Sequence, residues 1–331
     1  MSDLWERASN FWNQSFNIPE PTLTARSLPD QTGRVFIVTG GYAGVGFELA
    51  KILFEKNGKV YIAGRSKEKA FRAIATIQED VYTQTGQAFF LQLDLADLSS
   101  IKKSAEEFMK REQRLDVLTN NAGVMTPPSG SKTKQGHELQ MGTNCLGPFL
   151  FTQLLLPVLR RTAANAPAGS VRVTWAASLA IDFSSASGVT FDKDGNVTTL
   201  PIQGANYARS KAGNVLLAAQ FARRYGDEGL VSASWNPGNL STELQRHASS
   251  IEAWFISWLL YPAKFGAFTE LYAGWSPDVG QSTNGCLVVP WGRIQIPRKG
   301  LMKATMRPQD GGDGTAEKFW DWCEKETRPF M

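Results

Sequence analysis

From residue 34 onward the chain alternates between two rhythms. Short apolar runs are followed by longer stretches in which apolar side chains recur every three or four positions. The runs at 34–39, 59–63, 88–93, 115–118, 171–176, 230–235 and 286–289 predict strands, and their near-continuous apolar character is that of a parallel sheet covered on both faces. The stretches at 47–56, 67–85, 101–111, 137–161 and 207–225 predict helices. Asn57-Gly58 is a stop for the first of these, and Gly147-Pro148 is expected to bend the fourth. Regular alternation of this kind implies βαβ units with right-handed crossovers, hence an α/β fold. No other internal repeat is visible. Residues 1–33 stand apart as an aromatic-rich extension ending in a Pro-containing loop, expected to cover a hydrophobic patch.

Composition narrows the class. The 331 residues are 42% apolar and 20% charged, enough for a sizeable core and unlike a disordered chain. Net charge is 35 − 31 = +4, without a Lys/Arg run that would make a nucleic-acid arm. Cys145, Cys286 and Cys323 are odd in number, far apart and outside any CxxC pattern, so a reducing, cytoplasmic setting is expected. His137 and His247 lack metal-ligand spacing, which argues against a metal site, and no G-x-S-x-G elbow for a serine hydrolase occurs. The N-terminus is not a signal peptide, and no apolar stretch approaches a spanning helix. Residues 254–262 (WFISWLLYP) are too short to span; they read as a lid over an apolar pocket or a peripheral membrane contact. The ten Trp and nineteen Phe exceed what the strands use, and an apolar ligand pocket is one use for them.

The first strand runs into Thr39-Gly40-Gly41-Tyr42-Ala43-Gly44-Val45-Gly46, where a doubly wound sheet binds a dinucleotide. Gly40 permits the tight turn, Gly44 lets backbone approach a pyrophosphate, and Gly46 allows close packing of helix on strand. The helix start would then face the anion. The next strand ends in Gly64-Arg65-Ser66-Lys67, without the carboxylate that holds NAD ribose hydroxyls. Arg65 offers a planar fork for a 2′-phosphate and Lys67 adds charge, so NADP(H) is the expected cofactor.

Tyr207 and Lys211 are spaced to share one helix face, a turn apart. A phenol with a pKa of about 10 is a poor acid–base at neutral pH, and a neighbouring ammonium favours the phenolate.

Taken together, T-G-x-x-x-G-x-G at 39–46, Asn120-Asn121-Ala122-Gly123, Ser178 and Tyr207…Lys211 occur in the order that resembles the short-chain dehydrogenase/reductase superfamily. The resemblance covers about residues 34–292. It is closest to the retinol-dehydrogenase-like subgroup and its fungal members, through residues 118–125 (LTNNAGVM) and Asn236-Pro237-Gly238 followed by Thr242. It implies a single domain with a three-layer Rossmann-type doubly wound parallel sheet and C-terminal lid helices at about 240–277. Residues 1–33 would be an extension and 293–331 a tail. It implies that Tyr207 is the acid–base, that Lys211 binds the nicotinamide ribose and lowers the Tyr207 pKa, that Ser178 donates to the substrate oxygen, and that Asn144 organises a water for proton relay. It further implies cofactor contacts from Val45, from Asp94 and Leu95 at the adenine, from Asn121, Ala122 and Gly123, and from Pro237, Gly238, Leu240 and Thr242 at the nicotinamide end. A homodimer or homotetramer is expected on the same ground.

Two departures stand out. Ala176-Ala177 precede Ser178 where relatives carry Ser or Thr, and Asn236 replaces a frequent His. The segment 182–204 between Ser178 and Tyr207 carries a turn at 192–196 and is expected to wall the substrate pocket. The resemblance implies an oxidoreductase, and this segment with the aromatic stretch 240–277 leads us to expect a bulky hydrophobic ketone, aldehyde or alcohol, such as a secondary-metabolite intermediate. A redox-neutral enzyme of the same fold and a cofactor-binding regulator without turnover are the alternatives.

Overall fold

The run VFIVT has no polar face because its five residues, Val35–Thr39 (β1), are buried on both sides at the centre of the sheet. The computed structural model describes residues 2–16, 18–83, 85–240 and 260–331. Within them β2 (Lys59–Gly64), β3 (Gln87–Gln92), β4 (Val117–Asn120), β5 (Val171–Ala176), β6 (Leu230–Trp235), β7 (Cys286–Val289) and β8 (Arg293–Gln295) join β1 in the order β3-β2-β1-β4-β5-β6-β7-β8. β1 to β7 are parallel; β8 is an antiparallel edge strand on β7 that no apolar run announced.

Alternate residues of each strand feed opposite layers, as the pleat requires. Ile37, Leu118 and Val173 pack with Phe108 of helix α4 (Leu98–Arg111), Phe149 and Leu155 of α6 (Gly147–Ala163) and Leu216 of α7 (Gln203–Tyr225). Phe36, Val38 and Val117 pack with Leu49 and Leu53 of α2 (Gly44–Glu55), Ile74 of α3 (Lys67–Asp80) and Leu271 of α8 (Ala263–Trp275). The fold is therefore three-layered and doubly wound, with the direction of winding reversing between β1 and β4, where ligands bind in such sheets.

Several expectations change. The helix expected at 137–161 is α5 (Leu139–Met141), a π turn (Gly142–Leu146) and α6, so the irregularity expected of Gly147-Pro148 lies on the turn just before that pair. Pro148 lies inside this continuous run and has no N–H for the carbonyl four residues back, that of Asn144, which falls in the π turn. By length and hydropathy this run could span a bilayer, contrary to expectation, but 78% of its apolar window is buried as core. Of the expected lid, residues 241–259 lie outside the described residues, Thr242, Trp254, Phe255 and Trp258 among them. The part that is described, α8, is a layer helix packed on α2 and the sheet, with Ala267 and Leu271 fully buried.

The ends are built in. Ile18, Leu23 and Ala25 pack against the α2 layer, so the extension does cover apolar surface, while helix α1 (Ser2–Ser15) is held by polar side chains. Beyond β8, helices α9 (Lys299–Thr305) and α10 (Thr315–Thr327) bury Leu301, Phe319, Trp320 and Cys323 in the main core against α7.

Candidate active site

The glycine-rich loop turns at Gly40 (φ 68°), whose N–H donates to the Ala63 carbonyl at 2.7 Å. A Cβ there would press on Ala122 Cα at 3.2 Å. Gly44 is also left-handed (φ 54°). Helix α2 starts at Gly44 after an extended Ala43, and no side chain caps its first amides, which leaves them available to an anion. Gly46 stands outside the cleft lining described below and lets the helix start close on the end of β1, where a Cβ would lie 3.1 Å from Gly40 O, and it also makes room for a side chain. A Cβ on it would lie 2.4 Å from Asn121 Nδ2, the same amide that donates to the Thr39 carbonyl at 2.8 Å.

A cleft of about 600 Å³ opens along the carboxyl ends of β1, β2 and β4. Gly40, Gly44, Val45, Arg65, Asp94, Leu95, Asn121, Ala122, Gly123, Tyr207 and Lys211 all line it, as the sequence led us to expect. Lys67 does not; its ammonium lies 5.7 Å from the Phe71 ring centre, and Lys69, in the first turn of α3, lines the cleft in its place. Tyr42, overlooked within the loop, lines the cleft with its ring laid against Gly64, so that a Cβ there would be 2.2 Å from the ring. Asp94 lines the cleft, and its carboxylate accepts from Ala96 N at 2.9 Å, while Asp97 caps helix α4. Pro237, Gly238 and Leu240 stand outside this lining; Leu240 is buried against the α2–α8 layer.

Helix α7 places Tyr207 and Lys211 one turn apart on the cleft wall. The Lys211 ammonium donates to the Ala176 carbonyl at the end of β5 at 2.9 Å, and the Asn214 amide donates to the same oxygen at 2.8 Å. Lys211 Nζ stands 5.6 Å from the Tyr207 ring centre. Burial pushes the Tyr207 phenol up to about 12, and a hydrogen bond from the Ser178 side chain pulls the other way. Burial brings Lys211 down to about 8. The expected lowering of the Tyr207 pKa by Lys211 is therefore not a property of these side chains by themselves. Ser178 also caps the short turn Leu179–Phe183, its Oγ accepting from Ala180 N at 3.2 Å.

Asn144 sits in the π turn, a rare irregularity that recurs at functional sites. Its Oδ1 accepts from Val124 N at 2.8 Å, and its Nδ2 donates to Val124 O at 3.0 Å and to Ser210 Oγ at 2.9 Å. That leaves the side chain no spare N–H for a water. What it does is clamp the strand-end loop onto α7, beside Gly123, where a Cβ would be 3.1 Å from Asn144 Oδ1 and 3.5 Å from Lys211 Nζ.

The expected turn in the 182–204 segment is present: Asp192 N donates to Asn196 O at 2.9 Å. It walls a different space, a cavity of about 210 Å³ lined by residues 196–199, Arg209 and Trp322. Arg209 is two residues from Tyr207 and so faces away from it. Among the described residues no group of three His, Cys, Asp or Glu could hold a metal.

Residues 34–174 match the family model described as short chain dehydrogenase. A short-chain dehydrogenase/reductase of Phomopsis amygdali is 44% identical over 97% of both chains. Among solved structures, an uncharacterised protein from Mycobacterium Paratuberculosis superposes with a TM-score of 0.65 at 27% identity, over 92% of this chain and 97% of that one. The Pseudomonas aeruginosa RhlG/NADP active-site complex gives 0.60 at 23% identity, over 78% and 95%, which speaks to the fold alone.

Proposed function

Since this chain belongs to the short-chain dehydrogenase/reductase family, we propose that it is an NADP(H)-dependent oxidoreductase interconverting a ketone or aldehyde and an alcohol on a bulky hydrophobic substrate, with Tyr207 as acid–base. The observation that carries this reading is convergence: Tyr207, Lys211 and the glycine-rich loop line one cleft of about 600 Å³. The cleft fits a dinucleotide on its own geometry. Gly40, Gly44 and Gly123 present bare backbone along its wall, and the amides at the start of α2 lack a side-chain cap. Arg65 and Lys69 on the wall, with no carboxylate at the end of β2, suit a 2′-phosphate. The bound nicotinamide would supply or accept the hydride. Asn121 and Gly123 would border the cofactor, and Pro237-Gly238 would close its nicotinamide end.

Proton chemistry falls to the chain. Tyr207 holds a proton at its hydroxyl through the neutral range and can deliver it to a carbonyl oxygen as charge builds there. Ser178, hydrogen-bonded to that hydroxyl, would donate to the same oxygen. Lys211, fixed by Ala176 O, would hold the ribose and place positive charge beside the phenol. Cys145, Cys286 and Cys323 are unpaired, in keeping with a reducing, cytoplasmic setting.

The test is NADPH and NADH oxidation by purified protein against a panel of hydrophobic and small polar carbonyls, with Arg65→Asp alongside. Turnover of hydrophobic carbonyls with NADPH, and a selective loss of NADPH use in Arg65→Asp, is expected. Cofactor binding with no turnover across the panel would favour a regulator, and product formation without nucleotide oxidation a redox-neutral enzyme.

A further inference from the structure

Helix α1 lies outside both the sheet and the matched segment 34–174, yet it reaches residues more than 200 positions away. Asn239 Nδ2 donates to Ser15 Oγ at 2.9 Å, Arg293 Nη2 donates to Asn13 O at 2.8 Å and Gln295 Nε2 donates to Asn10 Oδ1 at 3.0 Å. The deepest tie is Asn236 Nδ2 to Gln14 Oε1 at 2.7 Å, between side chains each only 2% exposed.

Asn236 follows the last residue of β6 and opens the Pro237-Gly238 turn. Its backbone N–H is fixed to Val288 O at 2.8 Å. Its Oδ1 accepts from Gly238 N at 3.1 Å. The turn has little room to move: Gly238 is left-handed (φ 88°), and a Cβ on it would stand 2.7 Å from the Trp291 ring. This fixes the polarity of the amide. With the carbonyl end taken by Gly238 N–H, the NH₂ end must face α1, and only an acceptor there can complete it. Gln14 supplies that acceptor, and a buried amide left without one would swing and release Gly238.

We infer that Gln14 is a positioning residue. Through Asn236 it sets the Pro237-Gly238 turn, and so makes the N-terminal helix part of the cofactor site. The inference rests on the reading that this turn closes the nicotinamide end.

The test uses the full chain and two readouts: NADPH affinity by fluorescence titration, and hydrogen exchange at the Gly238 amide. Gln14→Leu keeps the volume and removes the acceptor. It should weaken NADPH about fivefold and speed Gly238 exchange by a similar factor. Gln14→Glu keeps an acceptor oxygen and, although burial disfavours its carboxylate, should hold Gly238 exchange closer to wild type than Gln14→Leu does. Asn236→Ala should cost at least as much as Gln14→Leu, and the double variant no more than Asn236→Ala alone, since both act through one contact. Trp5→Ala, on the exposed face of the same helix, should bind NADPH as wild type does. Wild-type affinity and exchange in Gln14→Leu, additive losses in the double variant, or an equal loss in Trp5→Ala would each overturn the assignment. If the wild-type chain fails to bind NADPH, the cofactor reading falls, and Gly238 exchange by itself decides whether Gln14 sets the turn.

Discussion

Gly46 and Asn121 are built for each other: a Cβ on the glycine would stand 2.4 Å from the asparagine Nδ2, which is held by the Thr39 carbonyl at 2.8 Å. The helix thus meets the strand-end loop through a side-chain amide, and that amide ties the end of β1 to the segment after β4.

Gly46→Ala tests this relationship. Alanine is favoured over glycine by up to about 1 kcal/mol in a helix, so propensity alone would stabilise the variant even in the first turn of α2, where Gly46 lies. Forcing the Asn121 amide aside should cost about 1–3 kcal/mol and reverse the sign. We expect a lower melting temperature and NADPH affinity reduced about tenfold or more. Adding Asn121→Ala removes the obstructing amide, so the double variant should melt above Gly46→Ala while still binding NADPH weakly. Thermal melts of the two variants decide it; Gly46→Ala melting at or above wild type would show that the contact yields freely.

Much of this site was legible because its chemistry is local. The glycines, Arg65 and the Tyr207–Lys211 turn lie in short windows where spacing equals geometry, and the seven parallel strands announce themselves as apolar runs. What was missed has physical reasons. β8 is three half-exposed residues without an apolar run. The π turn changes helical pitch without changing residue types. Lys67 was favoured for its nearness to Arg65 in sequence, although the chain enters α3 there and the first helical turn brings Lys69 to the cleft. Helix α8 is apolar on most sides, so its aromatics read as lid when the fold uses the helix as a layer. The Gln14–Asn236 bond spans 222 positions, beyond any periodicity.

Tyr207→Phe should separate binding from chemistry. The ring and its packing remain, so NADPH affinity should stay within a few-fold, while carbonyl reduction should fall by about 10²–10⁴ with loss of the acid. The pH profile has a definite sign. With the phenol held at about 12, Tyr207 remains a proton donor across neutral pH and does not limit reduction there. Lys211, held near 8, loses its charge above that pH. Reductive kcat/KM should therefore decline above about pH 8 in the wild type, and Lys211→Met should lack that limb on a much lower plateau. Alcohol oxidation, which needs the phenolate, should climb with pH. A wild-type reductive profile flat to pH 10 would remove Lys211 from the titration.

Glu270 supplies a prediction about the whole fold. It is on α8, fully buried, and neither carboxyl oxygen has a hydrogen-bond partner among the described residues. Burial raises its pKa well above the ordinary 4.5. In the unfolded chain the group ionises above about 4.5, while in the folded chain it keeps its proton, so the unfolded state binds fewer protons as pH rises. The stability Glu270 permits is thus fully present below pH 4.5 and is lost as pH climbs toward its folded value, by at most about 1.4 kcal/mol per pH unit. Three other groups set the useful window. Asp182, raised to about 6, acts in the same direction below that pH, and Lys211 acts oppositely above about 8 as its buried charge is relieved. His137, held below its ordinary 6.5 by burial, favours the fold as pH rises to about that value, so the slope belongs chiefly to Glu270 between about pH 7 and 8. Glu270→Gln keeps the shape and cannot ionise, so denaturant midpoints should depend less on pH than in wild type, with the gap widening from pH 5 to 8 in favour of the variant. Parallel curves for the two proteins would mean that the carboxyl ionises in the fold near its ordinary pKa, with a compensating partner.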